Sequence, residues 1–539
     1  MKRSHRIVIG LWAAAVGISG FGAAALGAAE AGGNGAPAPA VELLSPAPEQ
    51  GTADPVPGSG AQRLSLRDFV RLVREKNEQI GYQDSEWAIS REAVKGAKAI
   101  FEPAFVGSYQ FQEDKRRNTV QELVSQGFAP IFQERSSSYQ AAVEGLVPTG
   151  AKLRLGYTNK DFTNSIDNRF NVDRESQTVV GANLVQPLLK GRGVGPTTAV
   201  IRVAEADSDI AFQTYRGQMM RVVSDAIAAY WELSLARERH RVRKESERNA
   251  EGILRHNIAR AQAGKIAETE VLEAKAGLVM RKSLVNEADQ AIVAATNNAR
   301  SFFSASAAEG AAGIWPAEPL DPKEEVIPGF SESLARSFRH RAEYIASRRK
   351  IEREEIKLIF AENQRWPQLD LKGSYNINGL DDRPRASWGD AWSRDFETWS
   401  VGLELRIPLG GDRKSKSELE ATKQRKRQAL LELKAVEVAL ANAVDTSVQG
   451  VANGRQQVGH FAGIVEMTRQ LLEAETVKFD AGKSNSRILL EREENLNKAK
   501  EAYIESLVKY RKLLTQLDMA EGTLLANQGI EVMTEAGSK

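Results

Sequence analysis

Three glycines occur at a point in the chain where a nucleotide-binding enzyme would need them. Gly191, Gly193 and Gly195 follow an apolar strand pattern and precede a helical one, which is the order found in a dinucleotide-binding loop. That loop needs alternating parallel strand–helix–strand units, which the pattern lacks, and the helical pattern that follows is several times too long. We therefore interpret the glycines as a bend between a strand and a helix, because glycine adopts positive φ angles without steric cost.

Other residue types that catalyse reactions or bind metals lack the necessary spacing. The five histidines include no H-x-x-x-H pair, and we find no serine–histidine–aspartate grouping or paired-carboxylate motif. The 539 residues include no cysteine, which excludes disulfides, thiolate metal sites, cysteine nucleophiles and lipid attachment to an N-terminal cysteine. The sequence predicts a protein without enzymatic activity, metal or cofactor.

Charged and apolar residues alternate over 369–377 and over 398–407. Such alternation over about ten residues is typical of a membrane β-barrel with lipid outside and water inside, although a strand of a soluble sandwich can show it too. Aromatic residues cluster near the strand ends, and the connection 379–394 is long and polar like an extracellular loop, so we favour the barrel. The charged residues predicted to line its lumen are Asp370, Lys372, Glu404 and Arg406.

The first half of the chain contains a similar strand, 105–111, a closing strand that runs into Pro187, and a further hairpin. The hairpin strands, 139–147 and 151–158, flank Pro148-Thr149-Gly150, a good turn sequence. A short turn suits the periplasmic side of a barrel, and the long polar connections that flank the hairpin suit the outer side. We therefore expect four strands here and two in the second half. The hairpin could instead lie outside the barrel, near the tunnel mouth.

Each half continues into a long helical segment, and shorter helices, 64–100 and 331–364, precede the strands. In the last segment Leu489, Leu496, Tyr503, Tyr510 and Leu517 are seven residues apart, which is typical of a coiled coil. One motif occurs at the midpoint of each long segment, with an offset of 218 residues: Ala263-Gly264-Lys265 and Ala481-Gly482-Lys483. The duplication predicts two similar halves, and each glycine is predicted to end a helix at the tip of a hairpin.

These patterns divide the chain into six parts. Basic residues followed by a short apolar run predict a secretory signal peptide, and the net charge of +2 gives no electrostatic case for binding nucleic acid. The predicted parts are a signal peptide (1–29), an Ala/Gly/Pro-rich linker (30–62), a first repeat (63–315), a linker (316–327), a second repeat (328–526) and a C-terminal tail (527–539).

The order of helix, strands, Gln186-Pro187-Leu188-Leu189-Lys190-Gly191, long helix and Ala-Gly tip resembles the TolC-type family of outer-membrane efflux and secretion channels. Tyr230-Trp231-Glu232-Leu233 also matches, and the second half has Pro408 and Gly410 at the corresponding strand-to-helix transition. The resemblance covers roughly residues 64–526. Better-known members contribute four strands per chain and twelve per trimer, so six strands here would be a departure from the family.

The resemblance implies an α+β membrane protein in which the duplicated unit gives a transmembrane β-barrel shared across a homotrimer. The barrel continues into a long α-helical coiled-coil tunnel in the periplasm. It also implies a location in the cell outer membrane, in contact with its lipid and extending into the periplasm. There the protein is the passive exit duct of a tripartite efflux or type I secretion system. A periplasmic adaptor, which contacts the two tips, and an inner-membrane transporter are the implied partners.

Strand count supports sharing of the barrel. Six strands cannot enclose a pore, and an open sheet edge is not tolerated in lipid, so strands must pair between chains. Two other classes compete with the channel. A periplasmic adaptor has one helical hairpin inserted between sheet halves, whereas this chain has two, and a structural envelope coiled coil would not explain the alternating strands. The sequence leaves open the exported substrate and the class of transporter.

Overall fold

The computed structural model of this chain describes residues 62–125, 130–165, 174–303, 314–321 and 327–532. The predicted signal peptide lies outside the described residues, as do the predicted linker up to residue 61 and residues 533–539 of the predicted tail. The second predicted linker, 316–327, is described only in part. The boundaries of all these parts stay predictions.

The first half begins with β1 (Gln62–Leu64), α1 (Leu66–Lys76) and α2 (Glu78–Lys98). A single helix was expected over 64–100, but Asn77 has an extended backbone and breaks it. The Asn77 side chain accepts hydrogen bonds from the backbone N–H groups of Gln79 and Ile80, at 3.0 and 3.2 Å. Asn77 therefore caps the N-terminus of α2, a role in which asparagine is strongly preferred.

Four long strands and two long helices complete the first half. The strands are β2 (Ala104–Arg117), β3 (Ile131–Leu146), β4 (Lys152–Asn164) and β5 (Glu175–Pro187), with a short helix α3 (Val120–Ser125) between the first two. After a one-turn helix α4 (Val194–Thr197) come α5 (Ala199–Gln262) and α6 (Glu268–Ser301). The 64 residues of α5 correspond to a helix about 100 Å long.

The second half repeats this plan with fewer strands. It contains β6 (Ile314–Pro316), α7 (Phe330–His340), α8 (Ala342–Gln364), β7 (Gln368–Asp381), α9 (Pro384–Ser393) and β8 (Glu397–Arg406). The long helices α10 (Arg413–Asp480) and α11 (Ser486–Glu521) follow, and then α12 (Leu524–Asn527). Arg341 separates α7 from α8 as Asn77 separates α1 from α2. β1 and β6, which occupy equivalent places in the two halves, pair in parallel.

The six long strands form one antiparallel sheet in the order β2-β3-β4-β5-β7-β8. The extra hairpin, β3–β4, lies in the middle of this order, which confirms the expectation of six strands in a single sheet. The strands extend well beyond the predicted ranges at their outer ends, because the polar residues there continue the pairing. β2 and β8 are the two edges of the sheet within this chain.

The two faces of the sheet differ sharply in chemistry. In an antiparallel sheet directly opposed residues share a face, so the register extends the alternation of single strands across all six. The apolar face includes Phe105, Tyr109, Val143, Leu155, Val180, Leu184, Tyr375, Val401 and Leu403. The polar face includes Gln110, Gln140, Arg154, Asn183, Lys372, Ser374 and Glu404.

The connection between β7 and β8 differs from the expected polar loop. Residues 384–393 form helix α9, which packs on β7 and β5. Ser387 and Ala391 are fully buried against the sheet, because both lie on one face of the helix at an i, i+4 spacing. Polar residues dominate 384–393 and conceal its short amphipathic pattern, so the sequence indicated a loop there.

The long helices form two hairpins, α5–α6 and α10–α11, which touch each other through α5 and α11. The largest core lies where the shorter helices meet α5, and Tyr230 is at its centre. Its hydroxyl donates to the Leu64 carbonyl at 3.0 Å and accepts from the Ala317 N–H at 3.2 Å, and burial raises the pKa of Tyr230 to about 12. Among the described residues, the structure has no helix long and apolar enough to cross a membrane.

Candidate functional site

The four predicted lumen residues lie together where β7 begins, after α8, and where β8 ends, before the long helix α10. Asp370 and Glu404 are directly opposed in the sheet. The Lys372 ammonium forms an ion pair with Glu404, and Arg406 Nη2 is 3.2 Å from the other oxygen of the same carboxylate. Asp370 accepts a hydrogen bond from Gln368 at 2.7 Å. The site is therefore an ion-paired cluster on the polar face.

The cluster extends onto the extra hairpin, which the sequence analysis did not include. Glu144 and Arg154 are opposed across β3 and β4, and their side chains approach to 3.4 Å on the same polar face. Lys152 lies on that face as well, in the row of Val185 and Lys372. These residues occupy the alternate positions to Val143, Leu153 and Leu155, so the same period-2 argument could have found them.

Charge is absent from the next two rows of the polar face. One row comprises Val106, Ala142, Gly156, Gly181, Asn376 and Thr398; the other comprises Ser108, Gln140, Thr158, Val179 and Asn378. The wall of this face thus has a charged end near the helices and, beyond it, a neutral polar stretch of small side chains.

The strand-to-helix transition of the first half is held by a compact network of hydrogen bonds. Pro187 is the last residue of β5, opposite Asp370, and Gly191 follows with a φ of +80°. The Gly191 N–H donates to Asn363 Oδ1 at 2.7 Å, and the Gly193 N–H donates to the Thr149 carbonyl at 3.0 Å. The glycines thus form a bend after an antiparallel strand, which is not the setting of a nucleotide loop.

The turn of the extra hairpin is part of this hydrogen-bond network. Thr149 Oγ1 lies 3.2 Å from Gln186 Oε1, and Gln186 Nε2 donates to the Thr149 carbonyl at 3.4 Å. Gly150 has a φ of +90°, and a Cβ atom there would lie 2.5 Å from the Gly191 carbonyl oxygen. The turn therefore fits closely against the bend only because residue 150 is glycine.

The second transition contains Pro408 and Gly410, and the glycine that follows them makes the turn. Pro408 and Gly410 lie between β8 and α10, but Gly411 has the positive φ, +75°. Its N–H donates to the Pro408 carbonyl at 3.2 Å. Asp412 then caps α10, accepting a hydrogen bond from the Ser415 N–H at 3.3 Å. Consecutive glycines give no local signal for which of them turns.

Both predicted tips have the same backbone geometry. Gly264 and Gly482 have φ angles of +69° and +70°. The following lysines donate from their N–H groups to the carbonyls five residues earlier, Lys265 to Arg260 at 2.9 Å and Lys483 to Lys478 at 2.8 Å. This is the Schellman ending, in which a glycine outside the helix takes the left-handed conformation.

The structure brings the two tips side by side through residues that the sequence analysis missed. Asn257 Nδ2 donates to Ser486 Oγ at 2.7 Å, and Ser486 Oγ donates to Glu270 at 3.2 Å. The Arg260 guanidinium lies over the Phe479 ring, 5.5 Å from its centroid. These contacts join α5 to α10 and α11 across a sequence separation that no local pattern reports.

Comparison with known proteins identifies the family of this chain. The model of the family described as Outer membrane efflux protein matches residues 71–301 and 346–523, which is about three quarters of the chain. The chain belongs to this family. No curated protein sequence matches the efflux protein.

Solved structures with the same fold include outer-membrane channels and other outer-membrane proteins. The CmeC outer membrane channel of Campylobacter jejuni is 16% identical with a TM-score of 0.59, covering 85% of this chain and 86% of its own. VceC of Vibrio cholerae is 14% identical with a TM-score of 0.58 (85% and 96%). The open state of MtrE of Neisseria gonorrhoeae is 14% identical with a TM-score of 0.58 (85% and 89%).

Family membership gives this efflux protein its place in the cell. It is a channel of the outer membrane that extends into the periplasm, and the α+β duplicated fold expected from the sequence is confirmed. The periplasmic side of the sheet is the side that leads into the long helices. The opposite strand ends, which carry α3 and α9, therefore lie on the outer side.

Proposed function

We propose that three copies of this efflux protein form the outer-membrane exit duct of a tripartite efflux or type I secretion system. The duct conducts substrates passively and catalyses no reaction. The observation that carries the proposal is the direct continuation of a two-faced, six-stranded sheet into two long helical hairpins. A sheet with one apolar and one polar face can separate lipid from water, and the hairpins extend the water-filled path away from the membrane.

The open edges of the sheet support assembly from several copies. Within the described part of the chain, β2 and β8 each pair on one side only, and unpaired backbone groups are costly in lipid. Pairing β2 of one copy with β8 of the next satisfies both edges. Three copies then give a closed barrel of eighteen strands from six per chain.

The helices carry matching apolar stripes. On α6, Leu272, Val279 and Val293 are exposed and spaced in multiples of seven residues. On α10, Ile464, Met467 and Leu471 are exposed at a spacing of three and four. Stripes of this spacing are typical of coiled-coil seams, so we assign them to contacts with the helices of neighbouring copies.

The polar face lines the lumen in this arrangement, and the apolar face contacts lipid. Lys372, Glu404, Arg406, Glu144 and Arg154 then form a charged ring at the periplasmic mouth of the barrel, repeated in each copy. Each copy contributes three cationic and two anionic side chains to the ring, so most of the charge is offset by ion pairs and we expect a wide pore with weak ion preference.

The two helical tips contact a periplasmic adaptor, which links the duct to an inner-membrane transporter. This assignment rests on the equivalent geometry of Ala263-Gly264-Lys265 and Ala481-Gly482-Lys483 at the end farthest from the sheet along each hairpin. The contacts between the tips support a single docking surface for the adaptor.

Single cysteines test the proposal cleanly because the natural chain has none. Leu403→Cys and Glu404→Cys should behave oppositely in outer membranes: a water-soluble maleimide should label position 404 and spare position 403. Labelling of 403 with protection of 404 would reverse the face assignment. A planar-bilayer recording of the purified protein should show a large conductance, and absence of any conductance would contradict a duct.

A further inference from the structure

Helix α9 is pressed tightly onto the apolar face of the sheet near its outer end. Ser387 Oγ lies 2.9 Å from Thr178 Oγ1 and donates to the Gly379 carbonyl at 3.0 Å. A Cβ atom on Gly379 would lie 2.0 Å from the Ser387 carbonyl oxygen, so only glycine permits this approach. The helix is thus a built part of the surface that the proposed function places against lipid.

The two flanks of α9 differ along the direction of the membrane normal. On one flank Trp388 contacts Tyr157 edge-on, with ring centroids 5.0 Å apart. Tyr157 lies on the apolar face of the sheet, in the row of Val180. On the other flank Asp390 accepts a hydrogen bond from the Leu380 N–H at 3.0 Å, at the outer end of β7. The tryptophans therefore point toward the middle of the bilayer and the carboxylate points toward its outer surface, as in an interfacial helix.

A groove of about 550 Å³ lies next to this helix on the apolar face. Its walls are almost wholly apolar and come mainly from β3, β4, β5, β7 and Trp392. The one charged residue among the lining residues is Arg394, directly after α9. Among the described residues, no carboxylate forms an ion pair with Arg394, while Trp388 and Trp392 remain 40% and 51% exposed.

We propose that this groove binds a phosphate-bearing lipid of the outer leaflet, with an acyl chain along the groove and the phosphate at Arg394. The inference rests on the proposed function, because it requires the apolar face to contact lipid. The volume lies within the range of about 300–1,000 Å³ typical of ligand sites. The Arg394 guanidinium, which forms no ion pair with the described carboxylates, supplies the charge that recognises phosphate, and Glu397 nearby interacts with Tyr375.

A second copy of the chain is a less suitable occupant of the groove than a lipid. Neighbouring copies meet at the edges of the sheet, β2 and β8, whereas α9 packs on β5 and β7. The groove is centred on interior strands and is continuous with the lipid-facing band, so lipid is the occupant that reaches it.

The first experiment measures depth in the membrane. Trp392→Cys carries an environment-sensitive fluorophore in vesicles of phosphatidylcholine that contain brominated lipid. We expect quenching by bromines near the top of the acyl chains to exceed quenching by aqueous iodide several-fold. Leu403→Cys is the control for the lipid face and Gly402→Cys for the lumen. If 403 is quenched by lipid and 392 only by iodide, the groove proposal fails while the duct stands; if 403 is open to water, the duct assignment itself fails.

The second experiment measures lipid retention. Wild type, Arg394→Gln and Arg383→Gln are extracted from vesicles that contain phosphatidylglycerol, and co-purifying lipid is quantified by mass spectrometry. Arg383 is a matched control because it is exposed and pairs with Asp382 at 3.5 Å. Arg394→Gln should lose at least half of the retained phosphatidylglycerol, and Arg383→Gln should keep it. Equal retention by all three proteins would overturn the assignment of the phosphate to Arg394.

Discussion

Leu403 and Gly402 are neighbours on β8 whose Cβ positions lie on opposite faces of the sheet. Leu403 is exposed on the apolar face, and a Cβ atom on Gly402 would have no neighbour within 4 Å on the polar face. Leu403→Arg should destabilise the folded channel by about 1 kcal/mol, because Leu403 faces lipid close to the periplasmic interface, where the cost of a charge is smaller than at the bilayer midplane. Gly402→Arg should cost much less, because water solvates its side chain.

Urea unfolding of the two variants in lipid vesicles measures this difference. Equal stability of the two proteins would show that neither face contacts lipid, and greater loss for Gly402→Arg would exchange the faces.

A buried ion pair joins α6 of the first hairpin to α11 of the second, in the half of each helix that is nearer the tips. Arg281 Nη2 of α6 lies 3.0 Å from Glu493 of α11, and both side chains are almost fully buried. Arg281 Nε also donates to Ser246 Oγ of α5 at 3.1 Å. Burial raises the pKa of the Glu493 carboxyl above its usual value, and the guanidinium of Arg281 opposes that rise.

Arg281→Met should therefore destabilise the helices by about 3–5 kcal/mol near neutral pH, because it leaves a buried carboxylate without its partner. The raised pKa of Glu493 in the folded state then rises further. A carboxyl with a raised folded pKa favours the folded state at low pH and loses that advantage as the pH rises through the folded pKa. The deficit in melting temperature against wild type should hence shrink between pH 8 and pH 5.

Lys282→Met is the control for this prediction, since the Lys282 ammonium forms an exposed ion pair with Glu251 at 3.8 Å. Its melting temperature should match that of the wild type at both pH values. A deficit of Arg281→Met that grows on acidification would contradict the assignment of Glu493.

The helix tips are the elements on which export depends in our proposal. Replacing Gly264 and Gly482 by valine places a β-branched residue at φ angles near +70°, at a cost of about 1–2 kcal/mol for each left-handed residue. Steric crowding adds little to this cost, because a Cβ atom on Gly264 would have no neighbour within 4 Å, and the nearest atom to one on Gly482 is at 3.8 Å. The backbone strain alone should distort the tips, so the double variant should insert normally but lose export.

Gly252 and Gly463 are the matched controls. They lie within α5 and α10 and have open space around them, so Gly252→Val with Gly463→Val should retain export. Intracellular accumulation of a panel of exported compounds, normalised to channel abundance, gives the comparison. Normal export by the tip variant would exclude a role of this geometry in docking.

The turn of the extra hairpin should be essential to its position in the sheet. A side chain at Gly150 meets the Gly191 carbonyl oxygen at 2.5 Å with a φ of +90°, so Gly150→Val should destabilise the barrel by about 1–3 kcal/mol. Gly145→Val, on the neighbouring strand, has open space and should be tolerated. The temperature at which the heat-modifiable band disappears on gels reports both, and equal behaviour would show that the turn is not seated on the bend.

The whole assembly should be wider at the membrane than its better-known relatives. Barrel diameter grows roughly linearly with strand number, so eighteen strands give a barrel about half as wide again as twelve. Electron cryomicroscopy of the detergent-purified protein should show a trimer with six strands per copy, as in the sheet of the single chain. A barrel of twelve strands with residues 139–158 outside it would contradict the prediction.

Much of the molecule was predictable because the relevant signals are local. Period-2 alternation over 369–377 defined both a strand and its two faces, and heptads from Leu489 to Leu517 defined a helix. Positive φ angles at Gly264 and Gly482 followed from a motif that occurs at helix ends. In each case the backbone groups must form hydrogen bonds and one apolar stripe must be buried. The pattern of residues close together in the sequence specifies both.

Other features were decided only by tertiary contacts. The close fit of Gly150 depends on Gly191, which is 41 residues away. Arg281 pairs with Glu493, which is 212 residues away in the sequence. Helix α9 can pack closely on the sheet because Gly379 has no side chain. Alternation and heptads specify which face a residue occupies. Which residue stands opposite depends on register and close packing, and those are properties of the folded chain as a whole.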